Sequence, residues 1–382
     1  AGFVPSRSYE MDNTGFFEIA PRIDAQGQTI IYASKFDLEK PIEFGISSNT
    51  PELYRQAVKD GISYWNKAFE RDLIQVKMLS SQVVAPDYYN NVVQWVTADD
   101  AGFAYADAQM DPRSGEILHA QVYLTSVFAV QGRLGARLAI RRARERLNGQ
   151  RKVFSLESFQ LARKCHLSFD RRFVESMTNL LASGASDEQV LRVSQDFVRE
   201  VVAHEIGHTL GLRHNFAASI NGNIPYQQRN EIFDAYLQSD AYQSELHPSS
   251  SVMDYQRFEE GALTGQGMRK NADVLAYDRH AIQVLYNGSQ NHRIDNLYFC
   301  TDSHIEQYAD CKPFDFGSQS MDAQFYERQN AERRMANFII EQFVMAKAPF
   351  NGQRPIKIDD VGVDPSTLSF LILRPQIKAL TL

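Results

Sequence analysis

The most constraining feature of the sequence is the stretch HEIGHTLGLRH, which runs from His204 to His214. On a helix, residues four apart project from one face, one turn above the other, so His204 and His208 can direct their imidazoles at one point. That spacing suits two nitrogen ligands at about 2.0–2.1 Å from a single metal ion. Glu205 then lies beside the first ligand, where it can reach a metal-bound water as a general base.

The second part of this stretch predicts a third ligand. Gly211 can adopt the left-handed conformation that ends a helix, and the chain can then turn back so that His214 reaches the same metal. Three neutral nitrogen ligands with one open position are typical of a catalytic zinc site rather than a structural one. The alternative is a buried helix that carries its histidines by accident. We consider accident the weaker interpretation, because all five fixed positions of the motif are present, and three of them are histidines.

Length and composition are those of an ordinary globular protein. The chain has 382 residues, enough for one large domain or two modest ones, with 43% hydrophobic and 23% charged residues. Its net charge of −7 gives no general attraction to nucleic acid or to an anionic membrane. No run of 18 apolar residues occurs, so no membrane span is expected.

Residues 128–185 differ in character, because arginines and lysines between Arg133 and Lys164 outnumber the acids there. One interpretation is a basic patch for nucleic acid or for an acidic partner. The other is the solvated face of an inserted helix. We favour the inserted basic helix and expect no nucleic-acid binding, since the flanks lack the interleaved aromatic residues of single-strand binders.

Hydrophobic periodicity predicts strands and helices around the motif. Apolar residues from Val58 to Phe69, spaced by four, three and four, predict a helix with one buried face. Ser186 and Gln189 have the spacing of a capping box, which predicts the start of the helix that carries the motif. Strands are expected at residues 41–47, 73–79, 91–97, 102–110 and 116–125.

The zinc motif resembles the signature of the metzincin clan of zinc peptidases, HExxHxxGxxH followed downstream by a methionine turn. Ser251–Tyr255, SVMDY, looks like that turn, although alone it could be an ordinary turn. The resemblance implies that Met253 packs beneath the metal site. It also implies that Tyr255 approaches the zinc or the transition state.

Further short stretches, separated from one another in the sequence, extend this resemblance over residues 1–350. They are GFVP from Gly2, WNKAF from Trp65, DPRSGEILHA from Asp111, YDRHAI from Tyr277 and FCTD from Phe299. Together they look like the catalytic region of large, exported bacterial zinc-dependent metalloproteases related to metzincins. Asn215 after the third histidine differs from the Ser, Asp, Glu or Pro of several better-known metzincin families, which leaves specificity open.

The resemblance implies an α+β, metzincin-like fold. An upper subdomain would hold a mixed twisted sheet with two long helices, and the lower subdomain would be irregular and mainly helical. The strand at 102–110 would line the cleft as an antiparallel edge strand. We expect an extended N-terminal arm at 1–40, an upper catalytic subdomain at 41–214 with a basic helical insertion at about 128–185, a lower subdomain at 215–347 with the Met-turn and a C-terminal helix, and an extended tail at 348–382.

The implied function is that of a zinc-dependent endopeptidase with one catalytic Zn²⁺, Glu205 as general base and Tyr255 as a further catalytic residue. The partner would be a peptide or protein substrate, and the protein is expected to be a monomer. One alternative is a catalytically silent peptide- or protein-binding module on the same scaffold, against which the retained Glu205 argues. Another is an iron oxygenase, but that class uses two histidines and a carboxylate.

Three further expectations concern support and location. Asp278, together with Gly211 and Met253, is expected to support the site structurally. Cys300 and Cys311 could form a disulfide in an oxidising compartment and leave Cys165 free, or all three could be reduced thiols. The resemblance implies an extracytoplasmic location: periplasmic, cell-surface or secreted.

Overall fold

The computed structural model of the chain describes residues 3–7, 15–97, 104–129, 132–133, 136–137, 140, 186–288 and 297–319. Up to Ser318 these residues belong to one compact unit. Most of the predicted basic insertion, Cys165, the predicted C-terminal helix and the predicted tail lie outside the described residues.

The described residues form nine strands and six α-helices. In chain order they are β1 Ser6–Arg7, β2 Arg22–Ile23, β3 Thr29–Ile30, β4 Tyr32–Ala33, β5 Ile42–Ile46, α1 Glu52–Ser63, α2 Asn66–Phe69, β6 Ile74–Met78, β7 Asn91–Val96, β8 Ala104–Met110, β9 Ile117–Thr125, α3 Asp187–Thr209, α4 Arg229–Ser239, α5 Phe258–Arg269 and α6 Ala276–Asn287. Short 3-10 helices occupy Ala218–Asn221, Tyr226–Gln228 and Asp302–His304.

A five-stranded mixed sheet forms one layer, in the order β6-β5-β7-β9-β8. Strands β5, β6, β7 and β9 are parallel, and β8 pairs antiparallel with β9 at the edge. A parallel pair needs a crossover connection, which α1 supplies between β5 and β6. Phe44, Val93, Val122 and Leu124 are buried in the main core of this unit. The sheet therefore ends in one antiparallel strand whose outer edge has no partner among the described strands.

Helix α3 begins at the cap that the sequence predicts. Ser186 Oγ accepts a hydrogen bond from Gln189 N at 3.2 Å, and Asp187 and Glu188 place negative charge at the positive end of the helix dipole. The Gln189 side chain does not complete the box, because its Nε2 is directed instead at Leu237 O, 3.5 Å away on α4. The predicted capping box is thus half formed.

Helices α1 and α3 pack against each other beside the sheet. Tyr54 Oη lies 2.8 Å from Ser194 Oγ, and Trp65 Nε1 donates to Ala203 O at 2.9 Å. The apolar face predicted to run to Phe69 is divided between two helices, since α1 ends at Ser63 and α2 follows. These contacts fix the part of α3 that leads into the zinc motif.

A buried ion network fixes α3 from its other side. Asp196 is completely buried and accepts hydrogen bonds from Arg199 Nη1 at 2.9 Å and from Arg269 Nε at 2.8 Å. Arg269 also contacts Asp240 at 2.6 Å. Because a buried carboxylate is stable only when its hydrogen bonds are satisfied, this network holds α3, α5 and the end of α4 in one arrangement.

The arm before the sheet lies against the end of α3. Its short strands pair antiparallel, β1 with β4 and β2 with β3. Phe16 forms a bridge with Leu212, and Phe17 N donates to Gly211 O at 2.8 Å. The arm thereby adds main-chain hydrogen bonds to the turn that precedes His214.

The α+β class with a mixed sheet and several helices is confirmed. None of the helices in the described ranges is long and apolar enough to cross a membrane. The division into arm, upper subdomain, lower subdomain and tail stays a prediction.

Candidate metal centre and cleft

Two histidines project from the last turns of α3. The Nε2 atoms of His204 and His208 lie 3.1 Å apart, and their rings meet edge to face with centroids 4.7 Å apart. Burial lowers the pKa of His208 to about 3 and that of His204 well below its usual range. Both rings are therefore neutral near pH 7, which is the form that binds a metal ion.

A sharp turn brings in the third histidine. Helix α3 ends at Thr209, and Gly211 follows with φ of +98°. A side chain would be strained at that φ, and its Cβ would also collide with Ser34 O. The chain reverses there, so that His214 Nε2 lies 3.1 Å from His208 Nε2. One ligand atom of each of the three histidines lies within 4.8 Å of the other two.

The other nitrogen of each ring faces an oxygen acceptor. The contacts are His204 Nδ1 to Val252 O at 2.7 Å, His208 Nδ1 to Leu212 O at 2.8 Å, and His214 Nδ1 to both Asp302 carboxylate oxygens at 3.1 Å. Each Nδ1 therefore carries the ring proton, and each Nε2 turns a lone pair toward the centre of the group. Facing lone pairs cannot hydrogen-bond to one another, whereas a cation among them satisfies all three.

This donor set fits zinc. Neutral imidazole nitrogens are favoured zinc ligands, and an acceptor on the remote nitrogen is the usual second contact of such a ligand. Bonds of about 2.0–2.1 Å in a tetrahedral site place ligand atoms about 3.3 Å apart, close to the separations seen here. The cluster found among the described residues consists of three histidines, so it is not the two-histidine, one-carboxylate set of iron oxygenases.

The turn at Ser251–Tyr255 passes beneath the histidines. Met253 is fully buried, and its main-chain oxygen accepts a hydrogen bond from Asn215 N at 2.9 Å. Its sulfur packs against Gly207, where a Cβ would collide with it. Val252 in the same turn supplies the carbonyl that orients the first histidine. The turn thus supports the site and also orients one of its rings.

A comparison with family models agrees with this geometry, since residues 186–350 match the model described as Met-zincin. This part of the chain is thus similar to the Met-zincin family. The matched region contains the zinc motif and the methionine turn. The predicted resemblance to metzincins and the metzincin-like fold class are confirmed. Neither the curated proteins nor the solved structures gave a match to the chain.

Asp278 lies under the Met-turn. Its carboxylate accepts hydrogen bonds from Ser251 Oγ at 2.5 Å, Val252 N at 3.0 Å and Tyr64 Oη at 2.7 Å. Burial raises the pKa of Asp278 to about 6, although the three hydrogen bonds act to lower it. Asp278 on α6 therefore joins the Met-turn to the residue that follows α1, where the sequence predicts a supporting role.

Glu205 lies in the wall of the cleft, next to the first histidine in the chain. Its side chain is almost fully buried yet lines the cleft beside His204. Burial raises the pKa of Glu205 to about 8. A carboxyl group with a pKa near the working pH suits proton transfer in both directions. The general-base role itself stays a prediction.

Tyr255 stacks among the ligand rings. Its ring centroid lies 4.4 Å from that of His214, 5.4 Å from that of His204 and 5.1 Å from that of Phe314. Tyr255 also lines the cleft. The predicted catalytic use of its hydroxyl stays a prediction.

The histidines open into a cleft of about 410 Å³. Edge strand β8 forms one wall and contributes Tyr105 and Asp107, and Phe17 of the arm adds an aromatic side chain 5.8 Å from the His208 ring. Asp107, Glu205 and Asp302 bring three carboxyl groups to the lining, and the described lining residues include no lysine or arginine.

Sequence reasoning missed two residues of this cleft, Phe17 and Asp302. Asp302 is 88 residues from His214, and Phe17 comes from the arm, so no local periodicity connects either of them to the motif. The one signal for Asp302 in the sequence was its place in FCTD, two residues after Cys300. That cysteine has a second cysteine downstream with which it can form a disulfide. That partner is Cys311, because Cys300 and Cys311 form a disulfide in the structure, and both are buried.

Proposed function

We propose that this protein is a zinc-dependent endopeptidase that hydrolyses peptide or protein substrates in the cleft. The observation that carries the proposal is the convergence of three histidine nitrogens in an open cleft, with the Glu205 carboxyl group beside them. A purely structural zinc site has no need of either the cleft or the acid.

The chain's own residues have distinct parts in this proposal. His204, His208 and His214 would hold the ion through Nε2, with their rings kept in place by the contacts at Nδ1. When bound, zinc lowers the pKa of a coordinated water toward about 7 and polarises a substrate carbonyl. Glu205 accepts a proton from the attacking water and passes it to the nitrogen of the leaving amine. Tyr255 donates a hydrogen bond to the developing oxyanion.

The edge strand and the charge of the cleft support a peptide as substrate. An extended peptide can add to the free edge of β8 by main-chain hydrogen bonds, as peptides do at other exposed sheet edges. Asp107 on β8 then favours basic side chains near the bond that is cleaved. The substrate class that fits best is therefore an extended peptide with lysine or arginine near the cleavage site.

Location and assembly are part of the same proposal. The Cys300–Cys311 disulfide supports an extracytoplasmic location, whether periplasmic, cell-surface or secreted, because such bonds persist in oxidising compartments. The monomeric state and the lack of nucleic-acid binding stay predictions from the sequence.

The test combines metal analysis with peptide digestion. Wild type, Glu205→Gln and His208→Ala are analysed for bound zinc and incubated with a peptide library. We expect one zinc per chain in wild type and Glu205→Gln, and none retained by His208→Ala. Cleavage should fall by about 10²–10⁴-fold in Glu205→Gln, because a positioned general base contributes that much.

The possible outcomes separate the proposal from its rival. Full turnover by Glu205→Gln would exclude the general-base role. Zinc without cleavage by wild type would favour the catalytically silent peptide- or protein-binding module. A wild type that cannot be loaded with zinc would contradict the metal site itself.

A further inference from the structure

Asp302 reaches the third histidine from a distant loop. Both of its carboxylate oxygens lie 3.1 Å from His214 Nδ1, and Arg213 Nη2 lies 3.9 Å from one of them. We propose that Asp302 is a positioning residue for His214 and that the Cys300–Cys311 disulfide holds it in place. Retention of zinc would then depend on this carboxylate and on the state of the disulfide. The inference rests on the zinc site of the proposed function but not on its catalytic activity.

His214 is the ligand that most needs such support. His204 and His208 are held by the rigid end of α3, and each donates from Nδ1 to a main-chain carbonyl. His214 lies beyond the helix, after the turn at Gly211, and its remote nitrogen faces a side chain instead. A carboxylate on that nitrogen fixes the tautomer and ring orientation, and it strengthens the ligand more than a neutral acceptor does.

Asn215 ties the loop of Asp302 to the segment that carries His214. Asn215 is completely buried; its Oδ1 accepts from Cys300 N at 3.2 Å, and its Nδ2 donates to Tyr298 O at 3.1 Å. Phe216 N donates to Cys300 O at 2.8 Å. These hydrogen bonds place Asp302, two residues after Cys300, beside the third histidine. Asn215, the residue after His214, thus holds the two segments together.

The disulfide closes the same loop from its far end. Cys300 is fixed by Asn215 and Phe216, and the bond to Cys311 restricts the residues between them, including the 3-10 helix that begins at Asp302. A closed loop has fewer conformations than an open one, so the carboxylate remains near His214 at a smaller entropic cost. Opening the bond should therefore loosen Asp302 before it disturbs α3.

The first part of the test measures zinc affinity by competition with a chromophoric chelator, without any substrate. The variants are Asp302→Ala, Asp302→Asn and, as a matched control, Glu306→Gln, which alters an exposed carboxylate of the same loop. We expect Asp302→Ala to weaken zinc binding by about 10–100-fold, the usual effect of removing such a partner. Asp302→Asn should recover part of the loss, because its amide oxygen can still accept from Nδ1. Glu306→Gln should bind like wild type.

The second part tests the link to the disulfide. The double variant Cys300→Ser with Cys311→Ser is compared in the wild-type and Asp302→Ala backgrounds; if it does not fold, wild type and Asp302→Ala are reduced with a phosphine instead. Loss of the bond should weaken zinc binding several-fold when Asp302 is present and clearly less when it is absent. An equal loss in both backgrounds would overturn the link between the disulfide and the carboxylate.

Thermal unfolding of the zinc-free proteins separates positioning from general stability. Asp302 is half exposed, so Asp302→Ala should unfold near the wild-type temperature in the zinc-free form. Zinc affinity unchanged in Asp302→Ala, or a loss equal to that of Glu306→Gln, would overturn the proposal. So would a loss of affinity explained by unfolding of the zinc-free variant. Any of these results would leave the peptidase proposal standing, which fails separately if wild type binds no zinc.

Discussion

Asp278 shows how one buried side chain can support a metal site without touching the metal. Two of its three hydrogen-bond donors, Ser251 Oγ and Val252 N, belong to the Met-turn, and Val252 O in turn orients His204. Burial raises the pKa of Asp278 and these bonds lower it, and the value of about 6 shows that burial is the larger effect. The charge on this carboxyl group therefore changes near pH 6.

Ionisation of Asp278 should make the stability of the protein depend on pH. The pKa of Asp278 is about 6 in the folded protein, compared with about 3.9 in an unfolded chain, so the folded state binds the proton more tightly. Its contribution to stability is fully present below pH 3.9 and is lost as the pH rises through 6. We expect the free energy of unfolding of wild type, relative to Asp278→Asn, to fall by on the order of 2 kcal/mol between pH 4 and pH 7.

Urea unfolding of the zinc-free proteins at several pH values would measure this difference. Removing zinc avoids the separate pH dependence of metal binding. Asp72→Asn, which alters an exposed carboxyl group, serves as the control variant. A constant difference for Asp278→Asn would contradict the prediction.

At the scale of elements, the main contact of the site is between α3 and the Met-turn. Gly207 lies between Glu205 and His208 in the motif, and Met253 and Trp65 pack directly against it. A Cβ there would collide with the Met253 sulfur and would approach Trp65 Cζ2 to 2.7 Å. The absence of a side chain at Gly207 thus allows the methionine to lie close under the ligand helix.

Gly207→Ala should therefore destabilise the protein, although alanine favours helices. The gain in helix propensity is about 1 kcal/mol, whereas overpacking a tight core typically costs about 1–3 kcal/mol. We expect a net loss of stability. We also expect weaker zinc binding, because His208 is the next residue and shifts with the helix. Chemical unfolding and chelator competition would measure the two effects.

Gly267→Ala on α5 is the matched control. Its Cβ would meet its nearest neighbour, Ala272, at an ordinary distance of 3.5 Å. This variant should be as stable as wild type or up to about 1 kcal/mol more stable, because only the helix propensity changes. If Gly207→Ala behaved in the same way, the close packing of α3 on the Met-turn would not limit the site.

In the molecule as a whole, the three histidines and the groups that contact them come from segments that are far apart in the chain. Helix α3 supplies two of the histidines. The turn after it, which is hydrogen-bonded to the N-terminal arm, supplies the third. The Met-turn and the disulfide loop orient two of the rings. A metal ion bound here would hold these segments together, and it would bind the folded chain far better than the unfolded one.

Zinc should therefore raise the stability of the whole fold. At a free concentration of about 1,000 times the dissociation constant, a ligand that binds only the folded state adds about 4 kcal/mol. For a domain of this size we expect the melting temperature to rise by roughly 10 °C over that of the chelated protein. Scanning calorimetry with and without zinc would measure the shift. In His208→Ala, zinc should produce almost none, and an equal shift there would place the stabilising ion elsewhere.

Features that depend on local spacing could be predicted from the amino-acid sequence. The metzincin resemblance and the α+β fold class, both confirmed, followed from the HExxHxxGxxH motif, the candidate Met-turn and matching islands along the chain. The Ser186 cap and the glycine turn at Gly211 were also predictable, since each depends on the properties of a few neighbouring residues. Boundaries were less accurate, as the division of α1 from α2 shows.

The groups that surround the histidines could not be predicted in this way, because they depend on how distant segments pack. Phe17 in the cleft, the Val252 carbonyl on His204 and the Asp302 carboxylate on His214 come from distant segments. Helical periodicity and capping act over a few residues and leave a signal in the local sequence. A contact across 88 residues, such as that of Asp302 with His214, depends on how the sheet, helices and disulfide loop pack together. That packing cannot be predicted from the spacing of residues within a short stretch of sequence.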